Sequence, residues 1–168
     1  MAAEPETYTT RPLTPDTWDD FARLVEANNG VWGGCWCMGF HADGLTRDPA
    51  TNRDAKRTHV RAGSVHQILV YAGDECVGWC QYGSPAEVAS IKNPAAYERE
   101  LVSLPDWRIG CIFTGSRHRG RGVARAAVAG ALHAFDGIRR TSLPMRDSPA
   151  ARALLPRLVR EAAKAAST

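Results

Sequence analysis

The chain of 168 residues has no apolar run that approaches the length of a membrane span, so no membrane partner is expected. Its first ten residues, Met1 to Thr10, start acidic and hold no hydrophobic stretch, which argues against a signal peptide and for a cytoplasmic protein. No Gly-Lys-Ser or Gly-Lys-Thr occurs, which excludes a Walker loop, and the glycine spacing does not fit the dinucleotide fingerprint. Internal repeats are absent, and the length suits one domain with a real core. Net charge is only +3, enough to favour an anionic ligand but not to require nucleic acid. From Asp136 onward there is no aromatic residue, and Ala, Arg and Pro dominate.

The cysteines are few and unpaired in pattern. The five are Cys35, Cys37, Cys76, Cys80 and Cys111. An odd count without a secretion leader predicts reduced thiols. Cys35-Trp36-Cys37 has no second closely spaced Cys/His pair, and His41, His59 and His66 are scattered, so no metal site is expected. Small buried side chains are the expected use of these cysteines.

What the sequence does have is one concentrated stretch, Cys111 to Ala124. Ile112, Phe113 and Thr114 read as the end of a strand running from Trp107. A basic, glycine-rich turn follows, and Val123 to Phe135 reads as a helix with Ala124, Val128, Leu132 and Phe135 on its apolar face. Free N–H groups at a helix start, backed by the helix dipole, attract phosphate. Gly120 and Gly122 allow a ligand to approach the backbone, and Arg117, Arg119, Arg121 and Arg125 add positive charge. The competing readings are an Arg-Gly patch for RNA and a plain solvated turn.

Before that stretch, Tyr8 to Leu13 reads as a strand, and Thr14-Pro15-Asp16 opens a helix to about Ala27 that Asn28-Asn29-Gly30 stops. Val31 to His41 is aromatic and sulfur-rich without clear period: a buried plug, a wall of the acceptor pocket, or both. Asp48-Pro49 starts a second helix ending at Gly63, basic and read as a solvated face. His66–Tyr71 and Cys76–Tyr82 read as a hairpin. On its second strand, alternation puts Cys76, Gly78, Cys80 and Tyr82 on one face and Val77, Trp79 and Gln81 on the other. Gly78 in mid-strand predicts a bulge or a close backbone approach. Ser84 to Leu104 is a long connection with a short helical piece at Pro94 to Glu100.

Arg119-Gly120-Arg121-Gly122-Val123-Ala124, after a strand and before a helix, resembles the Gln/Arg-x-x-Gly-x-Gly/Ala signature of the GCN5-related N-acetyltransferases. Gly78-Trp79-Cys80 and Pro105-Asp106-Trp107-Arg108 resemble one bacterial-type branch of that family. The order β, α, α, β, β, β, α from Tyr8 to about Phe135 agrees. The resemblance implies an α/β (α+β) fold, with a mixed, mainly antiparallel central sheet flanked by helices. It implies acetyl-coenzyme A as co-substrate. Ile112, Phe113 and Thr114 would pair with its pantetheine arm, and Arg119, Gly120, Arg121, Gly122, Val123 and Ala124 would hold its pyrophosphate. The implied reaction is acetyl transfer to an amine of a small molecule or peptide, with no nucleic acid involved. Another acyl-coenzyme A, or a coenzyme A-binding protein with lost or partner-dependent catalysis, are the alternatives.

The tail departs from the pattern. Residues 1–135 form the expected coenzyme-binding core, and 136–168 a divergent tail of the same domain. Ile138 to Met145 would be the fifth strand and Ser148 to Ala166 the last helix, kinked at Pro156. Ser148 falls where the family commonly has Asn, and Leu155 where it often has a tyrosine that protonates the leaving thiolate. Nothing remains for the two closing strands, by divergence or by a truncated or shifted reading of the gene. An uncovered edge predicts a homodimer or other association and weak or partner-dependent turnover.

An ammonium must lose its proton before it attacks, so a general base is needed. Asp106, just before the central strand, is the candidate catalytic base; a plain loop carboxylate is the competing reading. Glu75 is a weaker candidate. Cys111 is a candidate nucleophile, although mid-strand cysteines are commonly inert.

Overall fold

The computed structural model describes residues 7–142, with side-chain surroundings through residue 136. Four strands, β1 (Tyr8–Pro12), β2 (His66–Ala72), β3 (Glu75–Gly83) and β4 (Arg108–Thr114), form one antiparallel sheet in chain order. Helices α1 (Trp18–Ala27) and α2 (Pro49–Arg61) cover one face, and α4 (Val123–Ser142) covers the other. A short helix α3 (Pro94–Glu100) lies in the long connection before β4. The element order is the expected one, and the fold class is a mixed α+β, mainly antiparallel sheet flanked by helices. Among the described residues no helix is long and apolar enough to cross a membrane.

Local chemistry explains the element ends. Pro15–Thr17 forms a 3₁₀ turn in which the Thr17 hydroxyl accepts from the Thr14 N–H at 2.9 Å, and α1 follows. Asp48 caps α2, its carboxylate accepting from the N–H groups of Ala50 and Thr51. Arg108 fastens the long connection to β4 by donating to the carbonyls of Pro85 and Val88 at 3.3 and 3.1 Å. Glu87 fastens it to β2, accepting from the backbone N–H of His66 at 2.8 Å and lying 2.7 Å from the His66 ring Nδ1.

Two bulges reassign sides. Between β2 and β3 the register slips, Val70 facing Gly78 and Tyr71 facing Cys76, so Val77 is the extra residue. Cys76 therefore joins Trp79 in the α1/α2 core, while Val77 joins Cys80 and Tyr82 under α4. This corrects the alternation read from sequence, which needs an unbroken strand. The expected bulge at Gly78 is present, and so is the close approach: a Cβ there would lie 2.6 Å from the Phe113 carbonyl oxygen and 2.6 Å from a Val123 methyl. A second slip, between Gln81 and Tyr82, makes Gly110 the extra residue of β4 and puts Ile109 and Ile112 on the α4 side, with Cys111 and Phe113 opposite.

Helix α4 buries Val123, Ala127, Val128 and Ala131, not Ala124 and Leu132 as the larger side chains suggested. Small residues win because the helix lies close to the sheet: a Cβ on Gly130 would be 2.9 Å from Ile68. The described helix continues to Ser142, so Ile138 to Ser142 is helical and not the start of a fifth strand. No proline falls between Val123 and Ser142 to stop the helix, and the turn-prone Asp136-Gly137 pair is taken up within it. The other expectations for the tail lie outside the described residues.

Candidate active site

The central strand ends in a turn of the predicted kind. The Gly115 N–H still bonds the Val77 carbonyl at 2.8 Å, Ser116–His118 make a 3₁₀ turn, and Arg119 is extended. Gly120 and Gly122 then take φ of +73° and +93°, a region that side chains with a Cβ rarely enter. The Gly122 carbonyl accepts the first bond of α4, from the Ala126 N–H at 3.0 Å. A Cβ at either glycine would meet nothing within 4 Å, so the backbone of the turn faces open space. Arg117, Arg119, Arg121 and Arg125 are exposed around it. Val123 is buried and anchors the helix start in the core, and the Tyr8 hydroxyl holds the Arg121 carbonyl at 3.1 Å. Ile112, Phe113 and Thr114 are half-buried on β4, an edge strand of the described sheet.

The candidate acids are not at this turn in the same way. Asp106 is exposed and precedes β4, eight residues from Thr114, roughly 26 Å of extended strand. Glu75 is beside the turn but is engaged: it pairs with Arg117 at 3.3 Å and lies 3.9 Å from His118. A cavity of about 320 Å³ opens there, between α1, the β2–β3 turn and Ser116–His118.

On the α1/α2 face the structure assembles a group that no sequence motif announced. The Val31–His41 loop is folded inward: Val31, Trp36, Cys37, Met38 and His41 are buried, while Trp32 is 82% exposed. It is therefore a core plug. Val31, Trp36 and Cys37 all take positive φ, which costs strain in residues with a Cβ and is held by surrounding contacts. Trp36 stacks on Trp18, and buried Asn52 donates to the Gly34 carbonyl at 2.9 Å. Helix α2, read as solvated, buries a stripe of Asn52, Lys56 and Val60 at i, i+4 and i+8. The spacing was visible, but polar residues hid it as a core signal.

Lys56 is fully buried, and its Nζ lies 3.4 Å from His41 Nε2. The Gln81 amide lies 2.7 Å from the same nitrogen. Lysine can only donate, so His41 Nε2 is the acceptor of both and the ring is neutral. Burial first, then the Lys56 charge, push the His41 pKa down to about 3. Burial also lowers the pKa of Lys56. The Trp79 indole N–H donates to the Cys37 sulfur at 3.0 Å, and Cys111 packs against the same core. Burial drives the Cys37 thiol well above its usual pKa. Among the described residues the cysteines are free thiols, and no group of His, Cys, Asp or Glu there could hold a metal ion.

Comparison with known proteins agrees with this architecture. The acetyltransferase (GNAT) family profile matches residues 34–158. Among solved structures the chain is similar to AAC(6')-Iy in complex with the bisubstrate analogue CoA-S-monomethyl-acetylneamine. The TM-score is 0.55 at 14% identity, over 94% of this chain and 89% of that one. It is also similar to the ribosomal-protein-alanine N-acetyltransferase from Brucella melitensis biovar Abortus 2308, with TM-score 0.47 and 14% identity over 85% and 83% of the chains. A third is an acetyltransferase from Thermus thermophilus, with TM-score 0.45 and 15% identity over 93% and 88%. No curated protein matches at a significant level. With the family profile spanning most of its length and the strand, glycine turn and helix where that family carries its signature, the chain belongs to the acetyltransferase (GNAT) family.

Proposed function

We propose that this protein is an N-acetyltransferase that moves an acetyl group from acetyl-coenzyme A to an amine of a small molecule or peptide. The observation that carries the reading is the open turn: two exposed glycines with positive φ at a helix start, ringed by arginines. The N–H groups of the first helical turn lack intrahelical partners and face an anion favourably, and the arginines add charge-assisted bonds to phosphate. Thr114, Phe113 and Ile112 continue from that turn along the outer strand, whose main-chain groups suit an amide-bearing arm.

In this reading the chain's own work is positioning. The turn fixes one end of the thioester donor and β4 aligns it, which removes much of the entropic barrier to attack. The amine must be neutral when it attacks, and Asp106 is the proposed base, directly or through water.

Gly122→Asp adds a side chain and a negative charge in the turn. Acetyl-coenzyme A should raise the melting temperature of the parent, by about 2.7 kcal/mol of stabilisation at one hundred times Kd, and leave the variant unmoved. Equal gains in both would remove the turn from the site. Release of coenzyme A against a panel of amines then tests transfer. Binding without release on any amine would favour a coenzyme A-binding protein without turnover of its own.

A further inference from the structure

We propose that His66, held by Glu87, is a second general base of the transfer and takes a proton from the attacking nitrogen, directly or through one water. The proposal rests on the acetyl-coenzyme A reading above and deepens it. An ammonium that becomes an amide gives up two protons from nitrogen, one before attack and one after. Asp106 serves one of them, and the other needs a base as well.

The geometry fixes which nitrogen of His66 is basic. The Glu87 carboxylate takes two bonds at once, from the His66 backbone N–H at 2.8 Å and from ring Nδ1 at 2.7 Å. The first alone would fasten the long connection to β2. The second sets the tautomer: an ionised carboxylate only accepts, so Nδ1 carries the hydrogen and Nε2 keeps its lone pair. Nε2 has no hydrogen-bond partner among the described residues, and the His66 side chain is 36% exposed against 13% for Glu87. A sheltered carboxylate behind a reachable imidazole is the arrangement that orients a base. The Glu87 bond also raises the ring's pKa against the opposing pull of burial.

The pair is built into the fold. A Cβ on Gly83 would lie 2.7 Å from the Glu87 carboxyl carbon, so the carboxylate sits where a glycine leaves room. Arg108 holds the carbonyls of Pro85 and Val88, on either side of Glu87, at 3.3 and 3.1 Å. The rings of Tyr82 and Trp107 flank His66, each centroid 5.6 Å from its own, and Trp107 stacks on Phe135 of α4. Among the described residues the titratable groups that face the imidazole are therefore Glu87 from the connection and Tyr82 from β3.

Its place suits the reaction. Tyr82 pairs with His66 on one side and with Ile109 on the other, next to the bulge at Gly110. His66 is thus level with Ile109, two strand spacings away, roughly 10 Å. The two-amide arm of the donor is about as long as a five-residue strand, roughly 16 Å. Measured back from Thr114, that length ends at Gly110. The thioester end and the imidazole therefore fall at one level of the sheet.

The step balances. The N–C bond forms as the C–S bond breaks, and the coenzyme A thiolate leaves and takes a proton from water. One nitrogen proton passes to His66 Nε2, and the imidazolium returns it to water.

The test reads the tautomer and the rate. Histidine ¹⁵N spectra of the full chain should show His66 protonated at Nδ1 and titrating above 6.5, and Glu87→Gln should lower that value. Coenzyme A release is then followed against pH with the fastest amine of the panel. His66→Gln should lose about a hundredfold in kcat, and with it the pH limb that follows the imidazole, while keeping its thermal shift with acetyl-coenzyme A. Glu87→Gln should move that limb to lower pH, a change that lost packing does not produce. A ring protonated at Nε2, or a His66→Gln variant with the parent's kcat and pH profile, would overturn this inference alone. A parent that shows no thermal shift with acetyl-coenzyme A, or binds it and acetylates no amine, would overturn the transfer reading and this step with it.

Discussion

The two faces of the sheet are built on different principles. Under α4 the buried contacts are apolar: Val123, Ala127 and Ala131 lie against Ile68, Val70, Val77 and Cys80, with the Tyr82, Trp107 and Phe135 rings packed on one another beside them. Under α1, α2 and the Val31–His41 loop, large aromatic rings surround buried polar groups. Trp79 stacks on Phe113 and meets Phe21 edge-on, while Lys56, His41, Gln67 and Gln81 are buried among them. The first face gains stability from close approach. The second carries a desolvated lysine and unmatched amides, a cost that stability alone does not explain. The difference separates an apolar face from one that buries polar groups at a cost.

Mutations on the polar face break this comparison most strongly. Trp79 is fully buried and both fills the core and donates to Cys37, so Trp79→Ala should cost about 3–5 kcal/mol in urea unfolding. A loss near 1 kcal/mol would mean that the loop can collapse onto the sheet. Lys56→Met should act in the opposite direction. Removing the buried charge while keeping the volume should leave stability unchanged or raise it by up to about 2 kcal/mol, read as an upward shift of Tm. A clear loss would show that Lys56 stabilises the fold and is not held there at a cost.

The smallest effects are those of pH, and the two histidines differ in sign. His41 has its folded pKa lowered to about 3 against an ordinary 6.5, so below pH 6.5 the unfolded chain binds a proton that the folded chain does not. Its contribution is present above 6.5 and falls as pH falls, by about 1 kcal/mol between pH 6.5 and about 5.5. His41→Gln should flatten that part of the stability curve. His66 is raised by its bond to Glu87, so its contribution is complete below 6.5 and is lost as pH rises through the folded value. With its side chain 36% exposed the effect is small. Glu87→Gln should remove the alkaline decline and leave the acid limb alone.

Much of the fold was legible because its signals are local. Asp48-Pro49 at a helix start, the Pro94 to Glu100 piece and the β4, glycine-turn, α4 run each depend on residues only a few positions apart. The glycine turn was legible for the same reason: Gly120 and Gly122 lie where only glycine fits comfortably. Side assignments were less secure. One bulge at Val77 exchanged the partners of Cys76, and close packing of α4 favoured alanines over the larger residues.

The sequence by itself therefore determined the order of elements and the glycine-rich turn, because capping, glycine φ and periodicity act within one or two turns of chain. Only the tertiary structure decided the buried polar cluster. His41, Lys56 and Gln81 come from a loop, a helix and a strand, and no spacing links them. They meet because the loop folds inward over one sheet face while bulges at Val77 and Gly110 decide which side chains point there. Burial then lowers the pKa of both the lysine and the imidazole, as water never does.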